Sequence, residues 1–92
     1  MVKYYIANWK MNLRRDSAIE FVENMRGFKS QNIIGIAPSF TLIHTLKECQ
    51  SKLKFRLGAQ NIADHPCGAY TGEVSSVMLK DAGVDFAIFF PL

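Results

Sequence analysis

The sequence predicts an α/β protein whose strands form a parallel sheet. Strand-like and helix-like segments alternate along the chain, the strand-like segments are short apolar runs, and the helix-like segments carry a single apolar stripe. Alternation of this kind is typical of βα units, in which each helix returns the chain to the start of the next parallel strand. We therefore expect the order βαβαβαβ.

Length and composition permit one small domain. The chain has 92 residues, of which 49% are hydrophobic and 21% charged, a balance typical of globular proteins. The net charge is +3, but the basic residues are scattered, which argues against nucleic-acid binding.

No apolar run approaches the ~20 residues of a membrane span, and no secretory pattern is present. Cys49 and Cys67 match no zinc or redox spacing. We therefore expect a cytoplasmic protein that binds neither nucleic acid nor membranes.

The first βα unit is predicted from a strand over about residues 3–8 and a helix within 16–28. Ser17 and Glu20 have the spacing of a capping box. The apolar stripe of the helix comprises Ala18, Phe21, Val22, Met25 and Phe28.

The second unit is predicted from a β-branched run over 32–38, which Pro38 ends, and a helix that begins near Ser39. The continuous apolar character of the run indicates a strand covered on both faces. The inner stripe of the helix comprises Leu42, Ile43, Leu46, Cys49 and Leu53.

The third strand covers about 54–61 and precedes an irregular stretch, 62–74, of a length that usually indicates function or an interface. A helix over 76–81 ends at Gly83, and 84–90 form a fourth strand. Right-handed crossovers place all the helices on one face of the sheet. The other face is then uncovered and both edge strands are open, as in half of a barrel that further βα units would close.

Asn8 and Lys10 are unusual residues for the end of an apolar strand. Period-two alternation places them on one face, together with Tyr4 and Ile6. Either the strand meets water here, with the Lys10 charge in solvent, or the pair forms an anion site at the carboxyl end of the strand. These residues alone leave both interpretations open.

Four stretches, in this order and at these spacings, resemble the amino-terminal part of the triosephosphate isomerase family: "NWKMN", "IAPSF", "GAQN" and "GAYTGEVSSVMLKDAGVD". The similarity extends from residue 1 to about 88. It implies that residues 1–92 are the amino-terminal part of a single (β/α)₈ (TIM) barrel domain, cut in or just after its fourth strand, and that the parallel βαβαβαβ order is half of that incomplete barrel.

The resemblance implies that Asn8 and Lys10 bind the substrate, a triose phosphate, at the carboxyl ends of the strands. Glyceraldehyde 3-phosphate and dihydroxyacetone phosphate would interconvert through an enediolate, without a metal or a cofactor. Lys10 would supply positive charge, and Asn8 would donate and accept hydrogen bonds. Gln60 would support the site from below, or serve only as a buried amide at a strand end.

The resemblance also implies a homodimer, with the irregular stretch inserted into the partner subunit. Thr71 would approach the Asn8 and Lys10 positions of that other subunit. The residues expected at the dimer interface are Met11, Tyr70, Thr71, Gly72 and Glu73.

A glutamate base, a neutral histidine electrophile and a closing loop complete the machinery in the family, which is itself a standard worked example of these roles. The glutamate and the loop are expected downstream of this chain. The histidine of a Gly-His-Ser-Glu-Arg run would fall at Pro91, which cannot donate a proton. We therefore expect the fragment to be inactive alone. The alternative is a non-catalytic half-barrel that self-associates as a structural unit.

Two further sets of residues are weak candidates for chemistry. His44 lies near the apolar stripe of the second helix, where a surface or half-buried helix residue is the simpler interpretation. Asp64, His65 and Cys67 crowd around a proline without a second pair of ligands elsewhere, and we expect no metal site there.

Overall fold

A computed structural model describes residues 1–89 of the chain. Its elements are β1 (Tyr4–Asn8), α1 (Arg15–Glu23), β2 (Ile33–Ala37), α2 (Ile43–Cys49), β3 (Arg56–Ala59), α3 (Ser76–Asp81) and β4 (Phe86–Ala87). The strands form one parallel sheet in the order β1-β2-β3-β4. The predicted class is confirmed, with four parallel strands alternating with helices.

The core lies between one face of the sheet and the helices α1 and α2. Ile36 and Leu57 are neighbours in the β2–β3 register, and both are buried under Val22 of α1 and Leu46 of α2. Each of these side chains contributes roughly 1.5–3 kcal/mol by leaving water. Val22 of the first predicted stripe and Leu46 of the second therefore cover the face that β2 presents to them. Phe21, which was also predicted in the first stripe, is 47% exposed.

The predicted start and end of the first helix are wrong. Ser17 was expected as the cap with Glu20, but α1 begins at Arg15, and the Ser17 hydroxyl instead accepts the backbone N–H of Arg14 at 3.0 Å. The helix ends at Glu23, and Gly27, with φ of 86°, follows in the turn. Phe28 consequently lies beyond the stripe, and 66% of it is exposed.

The strands are also shorter than predicted, whereas α3 has the predicted bounds, Ser76–Asp81. A single 3₁₀ turn, Phe40–Leu42, precedes α2, and Cys49 at the end of that helix is only half-buried. β3 begins at Arg56 because its pairing with β2 begins there, opposite Gly35. The last predicted residue of the fourth strand, Phe90, and the histidine position at Pro91 lie outside the described residues.

The opposite face of the sheet has no helix over it among the described residues. Tyr4 is 66% exposed and Ile6 44% exposed on this face. The Phe86 ring lies across Gly35 and Gly58, because a Cβ built on either glycine would meet that ring. We call this face, with Tyr4, Ile6 and Phe86, the open face.

Candidate functional site

The segment that carries Asn8 and Lys10 leaves the sheet in a tight turn. β1 ends at Asn8, whose side-chain Oδ1 accepts the backbone N–H of Lys10 at 3.0 Å. Lys10 has φ of 55° and Leu13 has φ of 71°, both in the left-handed region. The predicted alternation through Lys10 is wrong, because Lys10 lies beyond the end of the strand. The direction of its side chain is therefore set by the turn and not by the strand.

Trp9 fixes this turn to the core. Its side chain is 9% exposed, and its ring meets Phe21 of α1 edge-on with centroids 5.3 Å apart. Its backbone N–H donates to the carbonyl of Ala37 at 3.0 Å, and its own carbonyl accepts the Asn12 side-chain amide at 2.8 Å. The residues on both sides of Trp9 are thereby held relative to β2.

Gln60 joins the ends of three strands. It follows β3, and its Nε2 donates to the carbonyl of Lys10 at 2.8 Å and to that of Ala37, the last residue of β2, at 2.9 Å. The Ala37 carbonyl also accepts the Trp9 N–H, so both of its lone pairs are used. Gln60 therefore fixes the main chain of Lys10 relative to the end of β2.

The Lys10 and Asn8 side chains are accessible for binding. Both residues are exposed, and Lys10 takes part in none of the ion pairs found among residues 1–89. Asn8 Oδ1 is occupied by the Lys10 N–H, whereas its Nδ2 makes no hydrogen bond within the described part of the chain. The turn thus presents an ammonium and an amide donor, a pair suited to an anionic oxygen.

The irregular stretch between β3 and α3 is a loop closed at its base. Ala63 bridges to Ser75, and the Ala63 N–H donates to the carbonyl of Val74 at 2.9 Å. The buried Ser75 also caps α3, because its Oγ accepts the Met78 N–H at 3.2 Å. A loop tied in this way presents its middle residues at the surface.

A turn shapes the tip of this loop. The Glu73 N–H donates to the Tyr70 carbonyl at 3.0 Å, and Gly72 has φ of 84°, which glycine adopts without strain. The Tyr70 ring stacks on His65 with centroids 4.3 Å apart. All the residues predicted at the dimer interface are exposed, namely Met11, Tyr70, Thr71, Gly72 and Glu73.

The weak candidates do not assemble into a site. His65 Nε2 lies 3.2 Å from Asp64 Oδ1, but among the described residues no three metal-ligating side chains come together. His44 lies on the exposed side of α2, 2.8 Å from Glu48. Burial, and then the nearby Glu23 and Glu48 carboxylates, raise the pKa of the Cys49 thiol. Within residues 1–89, no helix has the length and apolar character needed to cross a membrane.

Sequence reasoning missed Asn12 and the left-handed turn. The side chain of Asn12 holds the Trp9 carbonyl, and the turn at Lys10 and Leu13 brings the chain back towards α1. The two asparagines flanking "WKM" were the available signal, since asparagine favours turns that bond to nearby backbone groups.

The sequence of the chain is similar to those of known proteins. Residues 3–89 match the family model described as triosephosphate isomerase. The triosephosphate isomerase of Treponema denticola is 44% identical over 91 residues, which are 96% of this chain and 36% of the relative. That of Thermodesulfovibrio yellowstonii is 40% identical over 90 residues, 94% of this chain and 36% of the relative. The chain therefore spans about a third of the length of these curated relatives. It belongs to the triosephosphate isomerase family.

Proposed function

We propose that this chain supplies the substrate-binding turn of an isomerase that interconverts glyceraldehyde 3-phosphate and dihydroxyacetone phosphate. The observation that carries the proposal is the pair of Gln60 hydrogen bonds, which fix the Lys10 main chain against the end of β2. An ammonium carried on a main chain held in this way suits a phosphate dianion and the negative charge that develops on substrate oxygens. The activity belongs to glycolysis and gluconeogenesis, and the setting is the cytoplasm.

Asn8 contributes a hydrogen-bond donor to the same substrate. Its Oδ1 is used to hold Lys10 N–H, so its Nδ2 is the group that faces the ligand. Asn8 thus has two roles, shaping the turn with its oxygen and binding a carbonyl or hydroxyl oxygen with its nitrogen.

Residues 1–92 form the amino-terminal part of a single TIM-barrel domain that works as a homodimer. Two features support the dimer: the loop tip is preorganised by its turn, and Met11 and Tyr70 expose 95% and 47% of their surfaces. Large apolar side chains of this kind are typical of interfaces. The 92 residues alone do not turn over substrate, since they span only 36% of the Treponema denticola relative.

A second candidate function is a structural half-barrel that self-associates without catalysis. The open face favours it, because Tyr4 and Ile6 are exposed on the sheet. Association of two such faces would bury them without any further chain.

The test is Lys10→Met in a version of the protein extended to the length of its relatives, with the Gly-His-Ser-Glu-Arg run of the family at the fourth strand. Losing a charged contact in a closed site costs on the order of 3–5 kcal/mol, so kcat/KM should fall about a few hundredfold or more. A coupled isomerase assay measures it.

The matched control is Lys3→Met, which removes the same charge at the opposite end of β1. It should leave kcat/KM nearly unchanged, and the 92-residue chain should give only background. A loss under about tenfold for Lys10→Met would return Lys10 to the solvated strand-end interpretation.

A further inference from the structure

A cavity of about 750 Å³ opens at the amino-terminal ends of β2 and β3, away from the Lys10 turn. β2 begins at Ile33, but its first partner in β3 is Arg56, opposite Gly35. The residues before these paired positions, 32–34 and 53–55, therefore line a gap. The turns that follow α1 and α2 form its walls. Its volume is in the range of small-molecule sites.

Four of the residues that line this cavity are cationic: Lys29, Lys52, Lys54 and Arg56. No aspartate or glutamate is among the described residues that line it. The four cationic residues of the lining thus exceed the net charge of the whole chain, which is +3 because acidic residues elsewhere offset most of the basic ones. Like charges gathered in a concave surface focus a positive potential and attract anions.

The remaining lining is apolar and includes aromatic rings. Phe28 stands at the cavity with 66% of its surface exposed, whereas Phe55 is 8% exposed and forms part of the core beneath. An exposed ring beside several cations suits a ligand with a planar body and a charged end. Arg56 offers a planar fork to phosphate oxygens, and the lysines act as point charges.

We propose that this cavity binds an organic phosphate with a planar ring, such as a nucleoside polyphosphate. The ring lies against Phe28 and the phosphates lie among Lys52, Lys54 and Arg56. The cavity is separate from the Lys10 turn, because the two lie at opposite ends of the strands.

Calorimetric titration with adenosine 5′-triphosphate of the protein extended to the length of its relatives tests the proposal. Adenosine and inorganic triphosphate, each lacking one half of the ligand, should bind more weakly than the nucleotide. Added salt should lower the affinity for the nucleotide. Lys52→Gln combined with Lys54→Gln should raise the dissociation constant roughly tenfold. The control pair Lys47→Gln with Lys80→Gln removes the same charge at exposed positions that do not line the cavity, and it should change the dissociation constant less than about twofold.

Hydrogen exchange measured by mass spectrometry locates the ligand. Protection by the nucleotide within 27–34 and 52–56 supports the cavity. Protection confined to 8–13, equal losses in the two lysine pairs, or no binding of the nucleotide would overturn the proposal. Adenosine that binds as tightly as the triphosphate would also overturn it, because the cations would then play no part.

Discussion

At the scale of single residues, the carbonyl of Ala37 is the point where the strand ends meet. It accepts the Trp9 N–H from the β1 side and the Gln60 amide from the β3 side. Gln60 reaches onward to the Lys10 carbonyl. One side chain from a distant part of the sequence therefore positions the lysine proposed to bind substrate.

Replacing Gln60 with glutamate should show how much these hydrogen bonds contribute to the free energy of unfolding. A carboxylate cannot donate to the carbonyls of Lys10 and Ala37 and would be repelled by them, so Gln60→Glu should lose about 1–3 kcal/mol of the free energy of unfolding at neutral pH. The same carbonyls should raise the pKa of the introduced carboxyl in the folded state. The folded state then binds the proton more readily than the unfolded state, so the deficit should grow as pH rises through the folded pKa and shrink as pH falls.

Urea unfolding followed by the fluorescence of Trp9, the single tryptophan, measures both effects. Gln60→Ala is the matched control, since it loses the same bonds but adds no titratable group. Its deficit should not vary with pH. Identical pH profiles for the two variants would contradict the assigned hydrogen bonds.

At the scale of elements, the sequence predicted which segments become strands and which become helices. The spacing of apolar residues in each segment follows the face that it buries, and that spacing differs between a strand and a helix. The stripe residues Val22 and Leu46 are buried as expected. Boundaries were less predictable, because they depend on pairing across the sheet: β3 begins where Gly35 offers a partner, and α1 begins where Ser17 reaches Arg14. The Gln60 contacts were also beyond pattern analysis, since they join residues 50 and 23 positions apart.

The contact of Phe86 with glycines of β2 and β3 is a testable feature of the sheet. A Cβ at Gly58 would overlap the Phe86 ring, so Gly58→Ala should displace β4 and cost about 1–3 kcal/mol. In a Phe86→Ala background the same change should cost far less, and a double-mutant cycle from urea unfolding measures the difference.

Gly35→Ala provides the comparison for this cycle. Its Cβ would meet Ile6 Cδ1 at 2.7 Å and Phe86 at 3.0 Å, so Phe86→Ala should relieve its cost only in part. If Gly58→Ala costs the same with and without the Phe86 ring, the contact of that ring with Gly58 on the open face is contradicted.

At the scale of the whole molecule, the two faces of the sheet differ in what covers them. One face packs on α1 and α2 over β2 and β3, although Tyr5 of β1 on that side is 53% exposed, whereas the open face leaves Tyr4 and Ile6 in contact with solvent. Each large side chain left uncovered forgoes roughly 1.5–3 kcal/mol, a substantial share of the stability of a small domain. The edge strand β1 adds unpaired backbone groups on one side.

The isolated chain is therefore expected to self-associate rather than remain a dispersed folded monomer. Tyr4→Lys combined with Ile6→Lys places charge on the open face and should raise the dissociation constant, measured by sedimentation, at least about tenfold. Val77→Lys with Met78→Lys is the control, because it adds the same charge to exposed apolar positions of α3 and should leave association unchanged. Amide exchange on the same samples reports protection strand by strand. A monodisperse 10.4 kDa species with strong protection in all four strands would contradict the expectation, since it would mean that the chain covers its open face without a partner.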